Sequence, residues 1–267
     1  MRYRPTGTYL SNATDLLAAA DGNGLITDAF LRDLAVPRTE LISTGSIGQS
    51  NGSANQLSLS ADGCKALFRT SGALALIDTG FYSDCYMRDW LLDTTVLASL
   101  KDDDSRPSGN TSLEACAFAG ANTVYFLSAA NDIVTATDEA SSVDLFKREL
   151  APVNTTTHIT AGDVDRLGTN LVVASDDGRQ AGFFTFDSTL VPGVTFDFAI
   201  YRSNSGGYSS LNVDRRGNQI ERNLPADASI SQDGSAIAFV STSANLVSNK
   251  RTNLQDVFVR DRARRSA

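Results

Sequence analysis

Apolar residues in this chain fall in short runs, not on a helical stripe. Near the C-terminus, Ala236-Ile237-Ala238-Phe239-Val240 and Val257-Phe258-Val259 are unbroken apolar runs bounded by Ser, Asp and Gly. Runs of that length between turn residues read as strands covered on both faces. Ser229-Ile230-Ser231 reads as a short strand before them. Gln232-Asp233-Gly234 reads as a turn in which glycine supplies the positive φ. The closing half of this pattern recurs at Asp28-Ala29-Phe30-Leu31-Arg32-Asp33, Asp84-Cys85-Tyr86-Met87-Arg88-Asp89 and Asp144-Leu145-Phe146-Lys147-Arg148-Glu149. A weaker copy is Asp197-Phe198-Ala199-Ile200-Tyr201-Arg202. The leading aspartates lie 56, 60, 53 and 59 residues apart. A period of that size, with no helical pattern inside it, predicts a repeat of four-stranded units.

Aligning the copies divides the chain into units at 1–43, 44–99, 100–161, 162–213 and 214–267. Unit two repeats the Asp-Gly turn at Asp62-Gly63, and unit three has lost it. In unit four the second strand is expected at Leu171-Val172-Val173-Ala174-Ser175, followed by a loop, 176–196, longer than its counterparts. An apolar pair is expected five residues beyond the second strand, from Ser11 to Leu16, Ser71 to Leu76, Ser128 to Ile133 and Ser241 to Leu246. The fold class is therefore all-β: one β-propeller domain, 1–267, of about five four-stranded blades with incomplete terminal blades. Unit one lacks its first strand and unit five its fourth. Terminal repeats of a full array are usually specialised caps, so the chain is expected to be part of a larger propeller, the alternative being a ring that closes imperfectly.

Ser-Ile-Ser-x-Asp-Gly-x-x-Ile-Ala-Phe-x-Ser over residues 229–241, followed by Asp256-Val257-Phe258-Val259-Arg260-Asp261, resembles the WD40-like Asp-Gly repeat (PD40) of TolB-type β-propellers. The resemblance is strongest in unit five and weakest in units three and four. It implies a bacterial periplasmic or secreted propeller that binds other proteins. The same repeat occurs in propellers that gate peptidases, and no peptidase domain is expected within these residues.

Composition agrees with a turn-rich β protein. Of the acids, 26 are Asp and 5 are Glu, and Asp favours turns where Glu favours helices. The formal charge of −8 disfavours nucleic acid as a partner. No run reaches the length of a membrane span, and the first twenty residues lack the apolar core of a signal peptide. Cys64, Cys85 and Cys116 form no Cys-x-x-Cys pair, so a zinc site has no support. A monomer is expected.

Candidate chemistry is sparse. Gly48-Gln49-Ser50-Asn51-Gly52 matches a nucleophile elbow but lacks the strand-to-helix setting that motif needs. The one histidine, His158, sits in an alternating Thr/Ile strand. Asp21-Gly22-Asn23-Gly24 leading to Asp28 offers oxygens for calcium, with Asp21, Asn23 and Asp28 as the candidate ligands, but falls short of an EF-hand. Ordinary Asp/Asn/Gly turn chemistry is the simpler account, so no cofactor is expected, with calcium as the alternative. The recurrent aspartates and arginines read as structural. The expected function is a non-catalytic scaffold whose long loops bind a protein or other extracytoplasmic ligand. The expected contact is an aromatic group, Phe183, Phe184 and Phe186, on loop 176–196. The alternatives are a carbohydrate-active, glycosidase-like enzyme with opposed carboxylates in the central funnel, and a calcium-stabilised module.

Overall fold

A computed structural model describes residues 6–18, 21–80, 82–107, 113–135, 143–160, 167–185, 190, 197–202, 205–211, 213–214, 218, 227–247 and 254–262. All its regular elements are strands, and every pairing is antiparallel between chain neighbours. Blade one holds β1 (Thr6–Ser11), β2 (Asp28–Asp33) and β3 (Arg38–Leu41). A small hairpin, β4 (Thr44–Gly45) and β5 (Gly48–Gln49), leads to blade two. Blade two comprises β6 (Ala54–Leu59), β7 (Lys65–Thr70), β8 (Asp84–Asp89) and β9 (Thr94–Leu97). Blade three is β10 (Leu113–Ala119), β11 (Thr123–Ser128), β12 (Asp144–Glu149) and β13 (Thr155–His158). Blade four is β14 (Leu167–Ala174), β15 (Gln180–Thr185), β16 (Asp197–Arg202) and β17 (Gly207–Ser210). Blade five is β18 (Ala228–Ile230), β19 (Ala236–Ser241) and β20 (Asp256–Asp261). These small meander sheets, packed in chain order, make the molecule a β-propeller.

The unbroken apolar runs are explained by the packing between blades. In β7, Ala66 and Phe68 join a core with Ala29 and Leu31 of blade one. The intervening Leu67 joins Phe126 and Phe146 of blade three. Alternate residues of one strand thus serve alternate neighbours, as strand geometry requires. In blades two to five the aromatic side faces the blade before it. Rings paired across neighbouring strands of a blade stack at 5.5–6.1 Å: Tyr9–Phe30, Phe68–Tyr86, Phe126–Phe146 and Phe239–Phe258. In blade four Ala199 lies opposite Phe183. There Phe183 meets Tyr208 edge-on instead, at 6.2 Å.

Two expectations require correction. Residues 167–174 are the first strand of blade four, not its second, and Ser175-Asp176-Asp177-Gly178 is its Asp-Gly turn. The second strand, β15, therefore occupies part of the expected 176–196 loop. Thr185 to Leu190 then restores the five-residue spacing to a partly buried apolar residue, so no insertion is needed. The continuous polarity of Gly168-Thr169-Asn170 hid the start of β14. In blade two the buried residue after the second strand is Leu74, whereas Leu76 is 82% exposed. β10 was not anticipated, because its turn, Gly120-Ala121-Asn122, has no Asp-Gly.

Candidate functional site

In blades one to three the aspartate that opens the third strand of the repeat has a local role. Ser43 donates to Asp28 at 2.6 Å, Ser99 to Asp84 at 2.8 Å and Thr160 to Asp144 at 2.8 Å. The same hydroxyls accept the N–H of Ala29, Cys85 and Leu145. In blades one to three this latch ties the end of the fourth strand to the third, in keeping with a structural reading of these repeated aspartates. The arginine four residues on reaches a threonine of the fourth strand: Arg32 to Thr39, Arg88 to Thr95 and Arg148 to Thr156.

Above the latches, a second polar layer locks the long loops together. In blade one the Gln49 amide donates to Asp21 at 2.8 Å and to Asp28 at 2.9 Å, and its oxygen accepts the Gly22 N–H at 3.0 Å. Asn23 donates to Asp28 and to the Ser50 carbonyl. Asp21, Asn23 and Asp28 do converge, but around an amide. The space between the carboxylates is filled by N–H donors, and turning the Gln49 oxygen inward would break its bond to Gly22. Among the described residues no group of three or more His, Cys, Asp and Glu is arranged to hold a metal.

In blade two a charged group does the same work. Arg106 lies 3.2 Å from Asp78 and 2.7 Å from Asp84, and Tyr86 donates its hydroxyl to Asp78. Burial pushes the Asp84 carboxyl up, opposed by Arg106 and the Ser99 hydroxyl. Burial likewise pushes the Tyr86 phenol up, and its bond to Asp78 adds to the rise. Gln49 follows Asp28 by 21 residues and Arg106 follows Asp84 by 22, so both come from the stretch after the fourth strand.

These bonds join the described parts of the loops into one face. Hairpin β4–β5 lies between loop 12–27, through Gln49 and Gly22, and loop 71–83, where Gly45 abuts the Leu74 carbonyl. On these three adjoining segments Leu25 is 79% exposed, Leu76 82%, and Ile47 and Ile77 are also exposed. Beside them a cavity of about 200 Å³ is lined by Leu16, Leu17, Phe30 and Leu41, with Asp21 and Gln49 at its edge. No sequence signal distinguished Leu25, Ile47, Leu76 and Ile77 from core residues.

Two of the three rings of the expected aromatic contact are in the core. Phe183 is fully buried between blades three and four, and Phe184 packs into the core between blades four and five; Phe186 lies outside the described residues. Their alternation in β15 sends one ring to each neighbouring blade. Ser50 is buried and shares hydrogen bonds with Thr70 and Gly52, while His158 stacks on Phe146 and approaches Asp144. The elbow-like motif thus has no histidine beside it.

A second concavity runs along the axis. The first strands of blades two to five line a channel of about 430 Å³. Most of its lining residues are aliphatic, but more of its exposed wall is polar than apolar, with Gln56, Ser58, Asp176 and Asp227 among the polar groups. Gln56, at a bulge in β6, has φ 49°, a sparsely populated conformation for a non-glycine residue. Asp176 follows β14 and Asp227 precedes β18, so the parallel inner strands set these acids towards opposite ends of the channel. Burial and then Asp177 push the Asp176 carboxyl up. Of the glutamates, Glu40 pairs with Arg38 and Glu149 with Lys147; Glu114, Glu139 and Glu221 lie outside the described side chains.

No family model matches the sequence, and no curated protein matches it. Solved structures with a similar course of the chain include the tricorn protease, at 12% identity over 88% of this chain and 25% of that one, with a TM-score of 0.45. A prolyl endopeptidase structure shares 11% identity over 98% of this chain and 34% of that one, with a TM-score of 0.48. An oligogalacturonate lyase in complex with manganese shares 12% identity over 87% and 53%, with a TM-score of 0.46. This chain spans between a quarter and about half of their lengths.

Proposed function

We propose that this propeller is a non-catalytic binding scaffold that holds a protein partner on the loop face of blades one and two. The observation that carries the reading is the set of exposed aliphatic residues, Leu25, Ile47, Leu76 and Ile77, on loops that buried polar networks hold in place. Exposed apolar groups on a rigid, preorganised surface favour association, because little loop entropy is lost on binding. The net charge of −8 favours a partner whose apolar contact is flanked by basic residues. The carbohydrate-active alternative gains no support from the channel, where Asp176 and Asp227 stand at opposite ends instead of flanking one bond. A periplasmic or secreted setting rests on the resemblance of the repeat alone.

The test replaces Leu25, Ile47, Leu76 and Ile77 together by serine. Substitutions at exposed sites change stability by about 0.5 kcal/mol or less each, so the variant is expected to melt as a folded protein. Crosslinking followed by quantitative mass spectrometry should recover a protein with the parent chain and not with the variant. Direct titration with that purified protein should then reproduce the loss. Equal recovery by both chains would overturn the proposal, as would turnover of an oligosaccharide or peptide by the parent chain.

A further inference from the structure

The turns on the opposite face of the propeller obey a charge rule that blade four breaks. The third strands of blades one, two, three and five end in an acid: Asp33, Asp89, Glu149 and Asp261. In blades one and two that acid closes the following turn. Asp33 accepts the N–H of Ala35 and Val36, and Asp89 those of Leu91 and Leu92. Blade four has Arg202 at this position. A guanidinium cannot accept a hydrogen bond, so the turn closes on the backbone, with Ser205 and Gly206 donating to the Arg202 carbonyl. Gly206 has φ 62°. The Arg202 side chain is thereby released from turn duty.

It enters a cleft of about 300 Å³ between blades four and five, lined also by Arg179, Arg262, Gln180, Asp177 and Asp233. Arg262 breaks the repeat too. It follows the third strand at the position held by Leu34, Trp90 and Leu150 in blades one to three. Its guanidinium donates to Gln180 and Ser209, both neutral. Among the described residues no carboxylate forms an ion pair with Arg202 or Arg262. The two acids of the cleft are engaged in their own turns: Asp177 accepts from Ser175 and the Arg179 N–H, and Asp233 from Ser231 and the Ser235 N–H. Burial, then Arg202 and Arg260, press the Arg262 guanidinium down to about 10. Arg179 lies 4.0 Å from Asp177, whereas Arg202 and Arg262 stand close together with no ion-pair partner among the described residues, an electrostatic cost that a bound anion would lower.

We infer that this cleft binds a phosphate or sulfate group, held by the forked donors of Arg202 and Arg262. Guanidinium groups match such oxyanions with paired hydrogen bonds. The chain's overall negative charge repels long polyanions, so a small ion or a single ester is favoured over a polymer.

The experiment is a thermal melt and calorimetric titration of the full chain with inorganic phosphate, against sodium chloride at equal ionic strength. A parallel arm uses heparin as a polymer that carries sulfate. Phosphate is expected to raise the melting temperature and to bind with measurable heat. Arg202→Asp, which restores the acid of the other blades, and Arg262→Leu, which restores the apolar residue, are each expected to weaken binding at least about tenfold. Without phosphate, Arg202→Asp should melt at or above the parent. If Arg262→Leu fails to fold, Arg202→Asp decides alone. A response to heparin only, lost in Arg202→Asp, would keep the site and assign its ligand to a polymer. An absence of response to either anion, or a response undiminished in Arg202→Asp, overturns the inference.

Discussion

The smallest unit with a recognisable duty is the Ser-x-Asp-Gly turn. In three blades the aspartate accepts the preceding serine hydroxyl: Ser60 to Asp62, Ser175 to Asp177 and Ser231 to Asp233. The glycine two residues before the next strand has φ near 70° in each, a region costly for residues with a Cβ. These bonds hold the Asp233 carboxyl down at about 2, the Ser235 N–H being the largest cause. For Asp62, burial pushes up but is outweighed by Ser60, the Cys64 N–H and Lys65, leaving it below 3.8. A lowered folded value means that the unfolded chain binds more protons in this window. The stability from these turns is therefore present above about pH 4 and lost as pH falls towards 2. Asp84, raised by burial, acts with the opposite sign and favours the folded state as it is protonated. Asp62→Asn with Asp233→Asn is predicted to flatten the fall in melting temperature between about pH 4 and 2. An unchanged slope would show that the turns do not carry it. The Ser-x-Asp-Gly signature was legible in blades two and five. In blade four the same signature, Ser175 to Gly178, falls at the start of the stretch that the sequence reads as loop 176–196.

At the scale of the strand, the rule is that both faces are used. Phe183 shows the consequence. Its sequence neighbourhood suggests a loop, yet it is fourth in its strand, as are Tyr9, Phe68, Phe126 and Phe239 in theirs. Counted from Ser175, it falls where Phe68 falls from Ser60. Since Phe183 is fully buried, Phe183→Ala is predicted to cost about 3–5 kcal/mol in urea unfolding, through lost transfer energy and the cavity left behind. Val257, 72% exposed on β20, supplies the contrast, and Val257→Ser should change stability by no more than about 0.5 kcal/mol. Equal effects would mean that the burial pattern of blade four is wrong. Strand positions were readable because an unbroken apolar run between turns leaves few options. Exposure of single aliphatic residues such as Leu76 was not, since the same residue type two positions earlier, Leu74, is in the core.

At the scale of the whole molecule, stability runs from blade to neighbouring blade. Blades two and three are covered on both sides, and every residue of β8 is buried. Blade five is not: in β20, Val257 and Val259 are 72% and 69% exposed. In a nearest-neighbour array the least covered unit opens first. Amide hydrogen exchange is predicted to be slowest in β7, β8, β11 and β12 and fastest, among the paired strands, in β20. Uniform protection across all blades would contradict this and point to an added contact on blade five in solution.

The sequence by itself determined the all-β class, the number of units and the position of most strands. Each rests on local chemistry: apolar runs that need two covered faces, glycine where φ is positive, and an Asp-led strand repeated at a steady interval. Tertiary structure decided what those local rules leave open. It placed Phe183 in the core and Leu76 in solvent, brought Gln49 between Asp21 and Asp28, and gathered Arg202 and Arg262 from different blades into one cleft. Such juxtapositions depend on loops that span tens of residues. Which side chains meet there follows from the packing of whole blades, and no residue's immediate neighbours encode it.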